Sequence, residues 1–517
     1  MAFSEYPAFL NNSLNPSSSD IDQTPQLSFN PLCCATRLTL TLLFFVIAPS
    51  LVLYARGYRI DFQKGVFVHS GTITLKTNPE NAQIALNGKL EKATASRINN
   101  SLNISGLIPR EYRLTVSAPG FNDWNKKTEV HSGVSSEFWN ILLTRKEYAK
   151  TAYAAGLVEK FFISPEDKLI VLENSQNETV FINILDIKND AITQTYSFPD
   201  WQFIPEERKE NIEWSPKEDY LLIPLQKKTL LENKAEMVFS YFVINPEKET
   251  FFNLNEFLEK ENLKNARWHP EDKDYIFFLS ETDLFRASIT DKNDLTLIDR
   301  DVSSFDLAEN GVYYSQLPNE LVFRKDLDGI SGKNQITFAS PKKNRSSNEK
   351  LIVYDEARIA FLDKDKNLFL FNKGQHQEYL QKIGSPVEGI QFSDDGKKLL
   401  FWNTNEISVH FLRDWNVQPF RIENETKEIT RYAEKISNVQ WFKDYEHVVF
   451  NVGSFVKIIE LDNRDYRICN DLLTTGTNNS QIVYNHYLEK LFFSDPAKEN
   501  GFFSSIDIPE KTNFLGL

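Results

Sequence analysis

Cysteine is scarce in this 517-residue chain, with only three present: Cys33 and Cys34 side by side and Cys469 alone. No CxxC or paired spacing exists for a metal site or a disulfide framework. So few cysteines fit either a reducing or an oxidising compartment. Basic residues are also in deficit, 58 Lys and Arg against 72 Asp and Glu, for a formal net charge of −14. That balance opposes attraction to a phosphate backbone, so nucleic acid is not an expected partner; the acidity serves solubility instead. Catalytic signatures are missing as well. There is no G-x-S-x-G elbow, the seven histidines never fall as HxH or HExxH, and no glycine-rich loop is placed to cradle phosphate. No catalytic, cofactor-binding or metal-ligating residue stands out, no cofactor is implied, and the chain is not expected to be an enzyme.

Three short stretches look chemical and read better as turns. His269 occupies the serine position of a repeated motif and is expected to be a satisfied turn histidine. Asp363-Lys364-Asp365-Lys366-Asn367 has D-x-D-x-N spacing, but Leu368 and Asn372 stand where a calcium loop needs glycine and an acid. A hairpin turn explains it, and Asp326-Leu327-Asp328-Gly329 reads the same way.

Aromatic residues are abundant: 40 Phe, 19 Tyr and 8 Trp. They suit pleated, half-buried surfaces, so the fold is expected to be mostly β. The exception comes early. Residues 1–36 are rich in Ser, Asn and Pro and read as a disordered tail. Residues 37–56 then read as a transmembrane helix, with an uncharged run from Leu38 to Ala55. At 1.5 Å per residue, about 18 residues nearly match a hydrocarbon core of about 30 Å. Pro49 is expected to kink it, and Tyr54 and Tyr58 suit an interfacial belt. A signal peptide would put its basic start near residue 1, whereas here a long polar stretch comes first. Orientation is contested, because Arg56, Arg59 and Lys64 follow the helix and only Arg37 precedes it. Flanking charge therefore favours a cytoplasmic C-terminal region.

Residues 70–144 change to short alternating strands. Ile73 and Leu75 share one face, as do Ile84 and Leu86, and the second strand ends at Asn87-Gly88, a tight-turn pair. Alternation continues through Leu102, Ile104, Tyr112, Leu114 and Val116, giving four or five strands in a compact sandwich. The run Thr77-Asn78-Pro79-Glu80-Asn81-Ala82-Gln83-Ile84, then Asn87-Gly88-Lys89, Gly106-Leu107-Ile108-Pro109, Tyr112, Pro119-Gly120-Phe121 and Trp124, resembles a PEGA domain. Asn81 replaces the glycine of the Pro-Glu-Gly-Ala signature, and asparagine is the substitute expected where a turn needs left-handed φ. Arg110 and Ala95 also depart from the family's usual turn glycine and proline. The resemblance implies a small non-enzymatic β-domain of bacterial and archaeal envelope proteins, with a role in adhesion or interaction near the cell surface.

Over residues 157–517 one theme recurs: an apolar pair, Ser or His, Pro or Asp, a turn residue, then an aliphatic and aromatic run. It appears at Phe161–Glu166, Ile212–Pro216, Ala266–Pro270 and Ile390–Gly396, with degenerate copies around Phe305, Tyr354, Trp441 and Tyr484. Repetition at this spacing points to units that cannot bury their faces alone. Three or four strands per unit is the content of a propeller blade. A short helix is expected near Leu254–Leu263. The motif core resembles the repeats of TolB-like and WD-repeat-like propellers, with eight blades favoured and seven the alternative.

Together these segments describe a single-pass anchor, a small β-sandwich and a C-terminal β-propeller. The expected function is non-enzymatic binding or scaffolding at a bacterial cytoplasmic membrane, with the large domains outside and a protein or a cell-wall or surface polysaccharide as partner. The order of domains outweighs the flanking charges in that assignment of side. The alternative is a propeller-type hydrolase, a peptidase or glycan-cleaving enzyme, built on carboxylates of the central channel.

Overall fold

The computed structural model describes residues 31–95, 99–153, 155–176, 178–204, 212–231, 234–330, 332–339, 348–495 and 502–509. Most of the expected disordered tail lies outside them. The chain divides into two units, Met1–Ser70 and Gly71–Leu517.

The first unit contains helix α1, Pro31–Ala55, which starts six residues before the boundary at 37 read from the sequence. Its stretch Thr36–Ala55 is long and apolar enough to cross a bilayer, and none of it is buried. Polar hydroxyls inside the run are satisfied locally: Thr41 Oγ1 donates to the Arg37 carbonyl (2.8 Å) and Ser50 Oγ to that of Val46 (2.6 Å). The helix runs through Pro49. A β-hairpin follows, Tyr58–Asp61 paired antiparallel with Val66–His69.

The second unit starts with two four-stranded sheets. One holds Ser135–Leu142, Gly71–Asn78, Leu102–Leu107 and Thr94–Ala95; the other holds Lys89–Leu90, Gln83–Leu86, Glu111–Ser117 and Trp124–Glu129. This is a sandwich of eight strands, not four or five, because Trp124–Glu129 and Ser135–Leu142 add a strand to each sheet and two-residue strands close the edges. The predicted alternation is what fills it. Ile73, Leu75, Ile84, Leu86, Ile104, Tyr112, Leu114, Val116 and Trp124 form one buried cluster. Asn87 and Gly88 both have positive φ (52° and 80°), as their turn requires. Asn81 does not: its φ is outside the positive region, so the left-handed turn expected there is absent. The chain turns through Glu80 and Asn81 without it, the Ala82 N–H closing on the Pro79 carbonyl (3.4 Å), which also accepts from Thr77 Oγ1 (2.9 Å).

Eight further antiparallel sheets follow among the described residues, seven of four strands and one of five, the arrangement of a β-propeller. Every recurrence of the sequence theme lies on the first strand of one of them. Phe162, Trp214, Trp268, Phe305, Tyr354, Phe392, Trp441 and Tyr484 mark these strands in order. First strands of successive sheets meet, as Val302–Ala308 meets Asn348–Asp355. Hydrophobic clusters fill the seams: Val171, Ile182 and Ile184 of the first sheet pack on Leu221, Ile223 and Phe242 of the second. Closure uses Thr151–Ala152, ahead of the expected boundary at 157. It pairs with Phe502–Asp507 and so joins the last sheet. The expected helix near Leu254–Leu263 is only one turn, α2, Leu254–Phe257. Asn253 caps it, accepting from the Asn255 and Glu256 N–H groups, and Leu263 already begins the next strand.

Candidate functional site

The most heavily built polar site joins the sandwich to the propeller. In strand Trp124–Glu129 the inward positions are Trp124, Lys126 and Thr128, so strand alternation drives a lysine into the interior. The Lys126 side chain is fully buried. Its Nζ lies 2.7 Å from Glu460 Oε1 and donates to the Asp462 carbonyl at 2.8 Å. Glu460 also accepts from Trp124 Nε1 (3.0 Å) and from the Ile468 N–H (2.8 Å). Arg464 holds Asp462 at 2.6 Å and lies 3.8 Å over the Phe138 ring. At the rim, Gln418 accepts from the Glu137 N–H (3.0 Å) and donates to the Ser135 carbonyl (2.9 Å). The cavity left among these groups is about 20 Å³, room for water but for no larger ligand. This is a lock between domains. Nothing in the sequence reading singled out Lys126, although its phase with Trp124 carried the signal.

Behind Glu460 lies a second charged layer. His447 pairs across the strands with Glu460. Its Nδ1 is 2.7 Å from Asp444 Oδ2, and Asp444 Oδ1 accepts from the Glu446 and His447 N–H groups. Burial would lower the His447 pKa, but Asp444, Glu460 and Glu446 outweigh it and raise the value. Burial raises Glu446, even though Lys398 is bonded to it. Asp444 is lowered: burial works against this, and the adjoining His447 and backbone donors prevail.

The seams between propeller sheets reveal an exception. A polar residue on one first strand usually clasps the next. Trp441 donates its backbone N–H to Gln391 Oε1 (3.0 Å) and its indole Nε1 to the Gln391 carbonyl (3.2 Å). Trp268 does the same with Glu213, at 3.2 and 2.9 Å. Gln440 accepts from the Tyr484 N–H (2.7 Å), and Gln481 accepts from the Phe161 N–H (2.8 Å). Between the first and second sheets the equivalent position is Phe162, which offers no side-chain acceptor. There Trp214 is buried, yet its indole Nε1 has no hydrogen-bond partner among the described residues. A groove of about 410 Å³ opens at this point, lined among others by Phe162, Ile163, Pro165, Ile212, Trp214 and Val483. Apolar walls with a few polar groups are characteristic of binding pockets. The sequence signal was a phenylalanine where the second, sixth and seventh repeats carry Glu213, Gln391 and Gln440.

Carboxylates do converge on adjacent first strands. Arg267 Nε donates to both Glu213 oxygens at 3.0 Å and its Nη1 to Asp306 Oδ1 at 2.8 Å. Burial raises the Glu213 pKa, against the pull of Arg267. Both acids are thus engaged by one guanidinium. The turn readings hold: His269 Nδ1 accepts the Glu271 and Asp272 N–H groups at 3.1 and 3.0 Å. Asp363 Oδ1 accepts the Asn367 N–H at 2.8 Å, and Asp328 Oδ1 that of Ile330 at 2.8 Å, both as turn closures. Tyr432 Oη lies 3.5 Å from the Cys469 thiol, which is free.

The sandwich coincides with a known family. Residues 70–139 match the PEGA domain. The chain carries a PEGA domain. Solved structures similar to the chain are β-propellers at low identity. The Cps50 (Swd1) β-propeller domain of Myceliophteria thermophila has 10% identity and a TM-score of 0.41, over 70% of this chain and 99% of that one. Hsv2 of Kluyveromyces lactis has 11% and 0.39, over 61% and 98%. BamB of Moraxella catarrhalis has 9% and 0.41, over 69% and 100%. Scores this low support no functional transfer. Comparison with curated proteins gives no match. A PEGA domain beside a propeller fits a binding or scaffolding role.

Proposed function

We propose that the protein is a single-pass, membrane-anchored scaffold of a bacterial cell envelope, with the PEGA domain and propeller held outside the cytoplasmic membrane as one presenting body. The observation that carries this is the Lys126–Glu460 lock, which docks the PEGA domain on the propeller through buried charge instead of leaving it on a free linker. A scaffold needs fixed relative geometry, and a buried ion pair with satisfied neighbours specifies one. The exposed apolar helix α1 supports the anchor. The seam groove beside Trp214 is the surface offered to a partner, and its mostly apolar walls, with Glu213 and Gln481 as the polar residues among them, favour a protein segment over a polysaccharide, which needs many polar contacts. The hydrolase alternative gains no support from the carboxylates that converge, since Arg267 engages both.

The test is photo-crosslinking in cells from Phe162 and Pro165, with Tyr487 as a surface control, combined with impermeant maleimide labelling of a cysteine at Tyr487. A discrete adduct from the groove positions and labelling in intact cells support the reading. Equal adducts from all three positions remove the groove, and protection from the maleimide reverses the orientation.

A further inference from the structure

The hairpin that follows α1 presents its apolar side chains to the surroundings. Its register pairs Tyr58 with His69 and Ile60 with Phe67, so these four side chains share one face. Tyr58 and His69 meet edge to face at 5.2 Å, closing the base. Further along the same face Ile60 is 42% exposed and Phe67 54%, and Phe62 at the tip is 87% exposed. The tip is nonetheless well built. Asp61 is buried and its Oδ1 accepts the Gln63 N–H at 3.0 Å, while the Gly65 N–H bonds to the Asp61 carbonyl at 2.8 Å. Phe62 is therefore held outward by a formed turn.

The hairpin is also tied to the end of the helix. Arg59 lies 3.9 Å over the Tyr54 ring and donates to the Tyr54 carbonyl at 3.1 Å. Ser70 Oγ donates to the Gly57 carbonyl at 2.7 Å, and Gly57 has a φ of 87°, a value that suits glycine at this reversal. Only Arg56 and Gly57 separate the helix from the first strand. An isolated two-stranded hairpin is marginal in water without something covering its apolar face. Its charge singles out the cover: residues 56–69 carry Arg56, Arg59 and Lys64 against Asp61, a basic patch in a chain of net charge −14.

We propose that this hairpin is a second membrane contact, with Ile60, Phe62 and Phe67 inserted among the headgroups of the bilayer that α1 enters and Arg56, Arg59 and Lys64 paired with anionic lipid phosphates. Apolar side chains flanked by basic ones bind this zone by combining burial with electrostatic attraction. The consequence is that α1 does not swivel freely, because its exit is fixed at the surface by a folded element. The proposal rests on the anchor reading above.

Nitroxide scanning of the full-length protein separates the two. Cys33, Cys34 and Cys469 are replaced by serine, and single cysteines are placed at Leu43, Phe62, Phe67 and Tyr487. Each labelled protein is reconstituted in phosphatidylcholine–phosphatidylglycerol vesicles and probed with oxygen and a water-soluble nickel complex. Labels at Phe62 and Phe67 should be more accessible to oxygen and less to nickel than at Tyr487, and shallower than at Leu43. With Leu43 deep, a Tyr487-like response at Phe62 and Phe67 overturns the hairpin contact and leaves the anchor standing. Shielding of both labels from both reagents means a protein surface covers the face, which also overturns it. A water-like response at Leu43 removes anchor and hairpin contact together. In a second measurement, the double variant Ile60→Ser/Phe67→Ser should move a label at Gln63 toward water; no change counts against insertion.

Discussion

Replacing Lys126 by methionine is the sharpest perturbation of the interdomain lock. Methionine keeps most of the side-chain length and removes only the ammonium. In the native protein that ammonium sits 2.7 Å from Glu460, in a side chain with no exposed surface. Without it, Glu460 keeps the Trp124 indole and the Ile468 N–H as donors, yet its buried charge loses its direct ammonium partner and retains only the longer-range pull of His447 and Arg467. Breaking one half of a buried pair costs about 3–5 kcal/mol, most of it the price of stranding the partner. The second change, Glu460→Gln, then removes the stranded charge and retains an acceptor for the Ile468 N–H. The double variant Lys126→Met/Glu460→Gln should therefore regain about 1–3 kcal/mol relative to Lys126→Met, a coupling typical of residues in direct contact. Urea unfolding of the full-length protein in detergent, followed by tryptophan emission, gives these energies. Trypsin digestion at Arg145, Lys146 and Lys150 reports undocking, since these basic residues lie in the connection between the domains. A loss below about 1 kcal/mol for Lys126→Met, or strict additivity in the double variant, refutes the lock.

Other expectations follow from the same contacts. Trp268→Phe and Trp441→Phe each delete an indole hydrogen bond and should cost about 1 kcal/mol more than Trp214→Phe, whose indole has none among the described residues to lose; melting temperatures of the three variants give the comparison. Glu173 is buried, and burial lifts its pKa to about 8. The folded state thus holds a proton that the unfolded state releases from the ordinary carboxylate range upward, so stability falls as pH rises between that range and about 8. Glu173→Gln should flatten the dependence and raise the melting temperature at about pH 9, by an amount equivalent to a few kcal/mol; an unchanged pH profile contradicts it. Asn87→Ala places a Cβ-bearing residue without a local side-chain bond at φ 52° and deprives the Arg113 N–H of Asn87 Oδ1 (2.9 Å). It should cost about 1–2 kcal/mol, measured by thermal unfolding.

The sequence was most readable where one residue's role depends on its near neighbours. Period-two alternation placed Ile73, Leu75, Ile84, Leu86, Leu114 and Val116 in the sandwich core, because a strand's faces are set locally. A repeated aromatic lay on all eight of the propeller strands that carry the sequence theme, in the same register at Trp214, Trp268, Phe392, Trp441 and Tyr484 and shifted by a residue or more at Phe162, Phe305 and Tyr354. It was less readable where partners are distant or identity misleads. Lys126 did not stand out because lysine is almost never buried unless paired, and its partner Glu460 lies hundreds of residues away. The Glu213–Arg267–Asp306 cluster and the closing strand Thr151–Ala152 depend on how the ring is assembled, which no short window contains. Asn81 misled differently: a family glycine suggested a left-handed turn, and the chain reverses without one. The orphan indole of Trp214 was readable in principle, as Phe162 breaks the pattern of clasping residues, but only once the register between sheets is known.

The most direct measurement is extraction of membranes from cells producing the full-length chain with alkaline carbonate. An integral anchor predicts that the protein stays in the membrane pellet and leaves only in detergent. Its appearance in the carbonate wash would mean that α1 does not reside in lipid, and the tethered scaffold would have to be abandoned.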